Sequence, residues 1–274
     1  MILRFHISTK EVFISLKKEI IDHLGRTVVY NFPPKRIVTL CPGITETLFG
    51  IGLEEEIVGR TRYCIYPEQA KNVPAVAGTK DLKLEKIHEV QPDLIIMEKE
   101  ENTKEMVEIL SEFYPVYVAE VQTIEEAYRM ITDMGSLTDH EQQSKSLVSE
   151  IKQAFTALPT LPAARVAYVI WQKPYMVVGK DTYINSLLQE LGFITPFAES
   201  SDRYPALTEE QFKEADLDLV LLSSEPYPFK EKQQVQFQEM LPDSAIQLID
   251  GEMFWYGVRM LEGAKYFQKF SFDV

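Results

Sequence analysis

The chain has 274 residues, and its 45% hydrophobic and 26% charged side chains exclude a disordered or fibrous protein. Its 42 acidic and 28 basic side chains give a formal net charge of −14. Such a surface repels phosphate backbones, which argues against nucleic-acid binding, and no apolar run approaches the ~20 residues that a membrane-spanning helix needs.

The N-terminal segment does not have the pattern of an export signal. Met1–Lys18 carries basic side chains, but its apolar stretches are too short for the hydrophobic part of a signal peptide. Cys41 follows Leu40, whereas the cysteine of a lipoprotein signal follows a small residue. As written, the sequence predicts a cytoplasmic protein in which residues 1–19 are an extension and the folded part begins at Ile20.

Strands and helices alternate along the first half of the chain. Short apolar runs that end in turn residues predict strands over 36–40, 56–61, 92–97 and 116–120. The pattern also predicts helices over 46–51, capped by Thr45, and over 84–90. This alternation indicates βα units and a mainly parallel sheet.

A helical segment follows at residues 122–160. Thr123 with Glu126, and Thr138 with Glu141, have capping-box spacing, and apolar residues recur with helical period between them. The pattern predicts one long helix ended by the prolines at 159 and 162, with a break at Gly135-Ser136 as the alternative.

The second half of the chain repeats the first. Strands are predicted over 165–171, 218–223 and 245–249, and residues 82–97 match residues 207–222 at a constant offset of 125 positions. We therefore predict an α/β fold with two Rossmann-like lobes and parallel-rich sheets. The N-terminal lobe spans 20–121, the linking helix 122–160 and the C-terminal lobe 161–274. Two facing lobes create a cleft beyond the strand carboxyl ends, where open α/β sheets bind ligands.

Several motifs, in their order, resemble those of the helical-backbone (class III) substrate-binding proteins of ABC importers, which capture cobalamin, ferric siderophores and haem. The matching pieces, spread over residues 20–270, are Pro33-Pro34-Lys35-Arg36, Pro42-Gly43-Ile44-Thr45-Glu46, Tyr66-Pro67, Leu84-Glu85, Pro92-Asp93 and Arg203-Tyr204-Pro205. The resemblance implies a monomer that binds a cobalt- or iron-containing chelate without a covalent cofactor. A corrinoid is the first expectation, and a ferric siderophore or haem the next.

The resemblance also implies a contact with an ABC permease. In that family one glutamate on each lobe docks on permease arginines, and Glu85 and Glu210 occupy the matching positions, which the repeat pairs independently. The alternative is that both are solvated glutamates in the first turn of a helix, where negative charge is favourable. An importer role would require a periplasmic or cell-surface location.

Residues at the predicted strand ends are the candidates for ligand contact, because clefts use aromatic faces and a few fixed polar groups. The candidates are Pro42, Gly43, Tyr63, Cys64, Thr79, Lys80, Trp171, Tyr175, Tyr204, Tyr227, Phe254, Trp255 and Arg259. The alternative for each aromatic residue is a place in the core. Three interpretations are open for Cys41 and Cys64. They are small residues in tight loops, a thiol pair that ligates a metal, or a disulfide that forms after export.

Charged residues near the strand ends bear on the expected charge of the ligand. The bases would suit an anionic ferric chelate, whereas Glu98, Glu100 and Glu101 suit a neutral or cationic ligand such as a corrinoid. The chain contains no GxGxxG, P-loop, GxSxG or HExxH motif and no paired histidines, so we expect neither an enzyme nor a resident metal site. The alternative function is an intracellular protein that handles or senses a corrinoid or another metal chelate.

Overall fold

The computed structural model describes residues 16–159 and 163–269. The strands in this part of the chain are β1 (Leu16–Ile21), β2 (Thr27–Phe32), β3 (Ile37–Thr39), β4 (Ile57–Thr61), β5 (Ala75–Ala77), β6 (Leu94–Glu98), β7 (Val116–Ala119), β8 (Val166–Trp171), β9 (Tyr175–Val177), β10 (Ala206–Leu207), β11 (Leu219–Ser223) and β12 (Ala245–Ile249). The helices are α1 (Pro42–Gly50), α2 (Leu84–Val90), α3 (Lys104–Ser111), α4 (Ile124–Thr138), α5 (Glu141–Thr156), α6 (Tyr183–Glu190), α7 (Glu209–Glu214), α8 (Glu231–Met240) and α9 (Met260–Phe267).

Each lobe contains a five-stranded sheet, and the two sheets share one strand order. The order is β5-β4-β3-β6-β7 in the N-terminal lobe and β10-β9-β8-β11-β12 in the C-terminal lobe, so the first strand of each set is central. All strand pairs of the first sheet are parallel. In the second sheet, β9 pairs antiparallel with both β8 and β10. The predicted α/β fold with parallel-rich sheets is confirmed.

The apolar strand runs are explained by burial on both faces of each sheet. In β6, Leu94 and Ile96 pack into one hydrophobic cluster, while Ile95 and Met97 pack into another on the opposite face. All four are inaccessible to solvent. A strand covered by helices on both faces has a continuous apolar sequence instead of an alternating one.

The internal repeat corresponds to repeated contacts. Asp93, just before β6, accepts hydrogen bonds from the backbone N–H groups of Lys35 (2.8 Å) and Arg36 (2.9 Å). Asp218, just before β11, accepts one from the N–H of Arg165 (2.7 Å). The side chains of both arginines donate to carbonyl groups at the ends of α2 and α7. The same contacts therefore fix the start of the central strand in each lobe.

The segment between the lobes is two helices, so the prediction of one long helix is wrong, and the alternative break at Gly135-Ser136 is wrong as well because both residues lie inside α4. Asp139 adopts a left-handed conformation (φ 66°), which ends α4, and α5 starts two residues later. The Thr123–Glu126 capping box is present, but Thr138 has no capping role because its hydroxyl donates to the carbonyl of Met134 (2.6 Å) inside α4. The proposed end at Pro162 lies outside the described residues.

The folded part begins before Ile20, contrary to the predicted extension over residues 1–19. β1 starts at Leu16 and pairs antiparallel with β2 along its whole length, from Leu16↔Phe32 to Ile21↔Thr27. The connecting turn is fixed by buried Asp22, whose carboxylate binds the backbone N–H groups of Leu24 and Arg26. Residues 1–15 lie outside the described residues.

The first helix of the N-terminal lobe begins earlier than predicted. Cys41 is its N-cap and Pro42 its first residue, where a proline is tolerated because its missing N–H needs no partner. Thr45 is therefore inside the helix, and its hydroxyl donates to the carbonyl of Cys41 (2.8 Å).

One hydrophobic cluster connects both lobes through α4. It contains Ile37 and Leu94 of the first sheet, Met130 of α4, and Leu187 and Leu219 of the C-terminal lobe, all buried. The lobes are therefore held by a shared apolar core. Within residues 16–159 and 163–269, no helix combines the length and the apolar character needed to span a membrane.

Candidate functional site

A cavity of about 850 Å³ lies between the lobes, beyond the carboxyl ends of the sheet strands. Its lining from the N-terminal lobe is Cys41, Pro42, Gly43, Arg62, Tyr63, Ile65, Thr79, Glu100 and Glu101. Its lining from the C-terminal lobe is Tyr168, Ile170, Thr182, Tyr183, Ile184, Tyr204, Glu225, Pro226, Gly251, Glu252, Phe254, Trp255 and Tyr256. Both lobes thus contribute aromatic faces and fixed polar groups.

The two lobes touch at the start of α1. Cys41 Sγ lies 3.3 Å from the hydroxyl oxygen of Tyr256, and a Cβ on Gly43 would lie 3.3 Å from the carbonyl oxygen of Tyr256. Glycine at position 43 therefore permits the close approach of the 254–256 segment. Behind it, the N–H of Val258 donates to Thr47 Oγ1 (3.1 Å).

A buried ion pair fixes the lobes beside this contact. Arg259 binds Glu46 with both arms of the guanidinium, at 2.8 Å and 3.1 Å, and stacks over the ring of Tyr66 at 4.2 Å. Burial raises the pKa of Glu46, and Arg259 opposes that rise. Bidentate pairing gives a defined orientation as well as attraction, so Arg259 is used in joining the lobes.

A second cross-lobe contact lies in the wall of the cavity. Glu100, in the loop after β6, accepts a hydrogen bond from the hydroxyl of Tyr204 (3.0 Å) and pairs with Arg203 (2.5 Å). The 203–205 segment is held to the C-terminal sheet, since the N–H groups of Val177 and Gly179 donate to its carbonyls.

The Glu100 loop is organised by buried Glu98. One Glu98 oxygen accepts the N–H groups of Glu100 (2.7 Å) and Glu101 (3.0 Å), and Asn102 donates to the carbonyls of Leu40 (2.9 Å) and Thr79 (3.0 Å). Glu98 is 1% exposed, and burial raises its pKa to about 7. These bonds connect the loop to the ends of β3 and β5.

The C-terminal wall is built around Trp255. Its indole N–H donates to Glu225, and its ring makes an edge contact with Tyr66 of the other lobe at 6.5 Å between centroids. Burial raises the pKa of Glu225, and the negative charges of Glu252 and Glu101 add to that rise. Carboxylates from both lobes thus interact across one space.

The structure brings together seven of the thirteen predicted ligand contacts in the walls of this cavity. These are Pro42, Gly43, Tyr63, Thr79, Tyr204, Phe254 and Trp255. Their contact with a ligand stays a prediction, but their juxtaposition follows from the strand-end positions that singled them out.

The other predicted contacts lie outside these walls. Tyr175 packs on Phe212 and Phe237 in the C-terminal core. Trp171, 40% exposed, packs edge-on against Tyr227, and neither ring is part of the cavity lining. The remaining three are Cys64, which is buried, Lys80, which donates to the carbonyl of Glu100, and Arg259.

Both cysteines are free and buried. Cys64 Sγ lies 3.1 Å from Thr61 Oγ1, and burial raises the pKa of both thiols, which keeps them protonated. In the described part of the chain, no group of three or more histidine, cysteine or acidic side chains is arranged to hold a metal ion.

Several acidic and tyrosine residues of the walls are not among the predicted ligand contacts. Glu101, Glu225, Glu252 and Tyr256 stand at or beside the strand ends from which the ligand contacts are predicted. Tyr168 and Tyr183 also line the cavity, and the sequence does not predict this because a tyrosine inside a strand or helix gives no signal that separates a cavity wall from the core.

The two candidate docking glutamates occupy equivalent places. Glu85 and Glu210 are each the second residue of a helix, α2 and α7, and both are exposed. The pKa of Glu210 is lowered because its own N–H and the Thr208 hydroxyl donate to its carboxylate. Each helix therefore presents an exposed carboxylate in its first turn, and α7 presents a second one from Glu209.

Known proteins share this architecture. Residues 37–248 match the sequence profile of a family described as periplasmic binding protein. A vitamin B12-binding protein of Vibrio parahaemolyticus is 26% identical over 186 residues, which cover 66% of this chain and 68% of that protein. The periplasmic heme-binding protein of Vibrio cholerae superposes with a TM-score of 0.72 at 23% identity, covering 85% and 97% of the two chains. An ABC transporter substrate-binding protein of Listeria monocytogenes gives 0.72 at 18% identity, covering 88% and 99%.

Proposed function

The chain belongs to the periplasmic binding protein family, and from this premise we propose that it is the substrate-binding component of an ABC-type importer. Its ligand is a metal chelate, bound without covalent chemistry in the cavity between the lobes. The observation that carries the proposal is that cavity of about 850 Å³, walled by aromatic and polar side chains of both lobes. Pockets of several hundred Å³ at domain interfaces are the usual places for small ligands.

The first candidate ligand is a corrinoid, with haem and ferric siderophores next. The likeness to vitamin B12-binding proteins supports this order, and so do the aromatic faces of Tyr63, Tyr204 and Trp255 in the cavity walls. Flat macrocycles and their apolar edges pack well on aromatic rings. The intracellular alternative gains no support from the relatives named above.

Delivery to the permease is assigned to Glu85 and Glu210. Both are exposed, and each lies at the start of a helix in its own lobe, so the pair presents one negative group per lobe. Permease arginines would bind such carboxylates in a bidentate manner. This role requires the protein to reach the outer side of the membrane, in the periplasm or on the cell surface.

Isothermal titration of the purified protein tests the ligand proposal. We expect cyanocobalamin to bind one-to-one with micromolar or tighter affinity, and haem or a ferric hydroxamate to bind more weakly. Binding of haem or the hydroxamate alone would retain the importer role and replace the corrinoid. Absence of binding to all three would contradict the proposed function.

A further inference from the structure

The cavity walls contain more acidic than basic side chains. Four lining residues in the described part of the chain are glutamates, namely Glu100, Glu101, Glu225 and Glu252. Arg62 is the one lining base among the same residues, and its guanidinium lies over the ring of Tyr63, with its side chain 55% exposed. A ligand inside the cavity therefore faces an excess of negative charge.

Bases close to the cavity are already bound to protein groups. Arg203 pairs with Glu100 and Arg259 with Glu46, while Lys99 pairs with Glu120 at 2.5 Å. Arg60 donates to three backbone carbonyl groups. Except for Arg62 and for the Nε of Arg203, which has no hydrogen-bond partner among the described residues, neutralising an anionic ligand would require breaking one of these contacts.

Three of the lining glutamates retain capacity to bind a ligand. Glu101 has no hydrogen bond to its carboxylate among the described residues, and Lys80 gives it only a longer-range attraction. Glu225 receives the Trp255 indole N–H on one oxygen, and Glu252 interacts with the Tyr66 hydroxyl. The first belongs to the N-terminal lobe and the other two to the C-terminal lobe, so a ligand between them meets carboxylates on both sides.

A further carboxyl group lies directly behind this wall. Glu98 is 1% exposed, and its Oε1 has no hydrogen-bond partner among the described residues, while its other oxygen binds the N–H groups of Glu100 and Glu101. Burial raises the pKa of Glu101 and Glu225, and neighbouring carboxylates raise them further. Hydrogen-bond donors or positive charge in the cavity would relieve this repulsion.

We propose that the cleft selects chelates whose edges carry hydrogen-bond donors or positive charge, such as carboxamide or ammonium groups, and discriminates against chelates edged by carboxylates. Glu101, Glu225 and Glu252 are the specificity-determining residues. The inference rests on the proposed function and narrows the class of ligand. It assigns the choice between amide-edged and carboxylate-edged chelates to these three side chains.

Matched ligand pairs that differ only at the edge test the inference. The first pair is cyanocobalamin and a monocarboxylate made from it by hydrolysis of one propionamide, and the second is haem and its bis-amide. Isothermal titration should show the amide member binding at least about tenfold tighter, since a charge-assisted hydrogen bond is replaced by repulsion. Glu101→Gln, Glu225→Gln and Glu252→Gln should each reduce that ratio.

Glu108→Gln is the matched control, because Glu108 lies on α3 and pairs with Lys104 outside the cavity. It should leave the ratio unchanged. Equal or tighter binding of the carboxylate member, or a ratio that none of the three variants changes, would overturn the charge selection while leaving the importer role intact. No binding of any member of either pair would overturn the charge selection, and absence of binding to the ferric hydroxamate as well would overturn the importer role.

Discussion

The hydroxyl of Tyr204 donates a 3.0 Å hydrogen bond to Glu100 across the cleft, and this bond joins the two lobes at the cavity wall. Burial and the adjacent Glu100 raise the pKa of Tyr204 far above its ordinary value, so the hydroxyl stays a donor at physiological pH. Tyr204 therefore serves two purposes, as an aromatic wall and as a contact between the lobes.

The two purposes of Tyr204 can be separated. Tyr204→Phe keeps the ring and removes the bond to Glu100, so we expect faster ligand dissociation with a loss of about 1 kcal/mol in binding. Stopped-flow measurement of the dissociation rate checks this. An unchanged rate would show that the bond does not restrain the lobes.

Removing an aromatic wall should weaken ligand binding. We expect Tyr204→Ala and Trp255→Ala each to cost roughly 1–3 kcal/mol, because aromatic area buried against the ligand is lost. Trp171→Ala is the control, since Trp171 lies outside the cavity and packs on Tyr227. Titration calorimetry measures the binding free energy of the three variants. Equal losses of binding free energy in all of them would contradict the assignment of the cavity walls.

Docking and ligand binding should be separable. The double variant Glu85→Ala, Glu210→Ala removes two exposed carboxylates that lie outside the cavity lining. Ligand affinity should stay unchanged while transport by the cognate permease is abolished, because the contact with permease arginines is lost. Uptake of radiolabelled ligand in reconstituted vesicles measures this. Lost ligand affinity would place the glutamates in the cleft or in the fold.

The close contact of α4 and α5 depends on a glycine. A Cβ on Gly135 would lie 2.0 Å from Ser144 Oγ and 2.8 Å from the carbonyl oxygen of His140. Gly135→Ala should therefore destabilise the protein by about 1–3 kcal/mol. Gly78→Ala, where the nearest atom is 3.2 Å away, should cost less. Urea denaturation compares the two, and equal stabilities would contradict the tight helix contact.

Glu98 should make stability fall as the pH rises. Its pKa is about 7 in the folded protein and ordinarily 4.5, so the folded state holds the proton that the unfolded state has released between these values. The free energy of unfolding should thus decrease from about pH 5 to about pH 8, with Glu98 contributing on the order of 3 kcal/mol at most.

The variant Glu98→Gln isolates this contribution, because an amide oxygen can still accept the N–H groups of Glu100 and Glu101 and carries no charge. Its stability should vary less with pH than that of the wild type when both are unfolded in urea. Identical slopes in the two proteins would exclude Glu98 as the source.

The amino-acid sequence alone is enough to predict the strands that are buried on both faces of the two sheets, and it displays the internal repeat. Burial on both faces demands continuous apolar runs such as residues 94–97, and the repeated Asp93 and Asp218 hold the same strand starts in both lobes. The apolar runs and the repeated aspartates can be read directly from one amino-acid sequence.

The turn in the linking segment and the charge environment of the cavity depend on the tertiary structure. Helical periodicity runs through residues 124–156, and the turn at Asp139 depends on how α4 and α5 pack against each other. Glu100 lies more than a hundred positions before Arg203 and Tyr204 and in the other lobe, so its pairing with them exists only when the lobes meet. Whether a charged side chain faces a ligand or is neutralised by a neighbour depends on distances across the cleft, because electrostatic and hydrogen-bond energies are set by separation and burial.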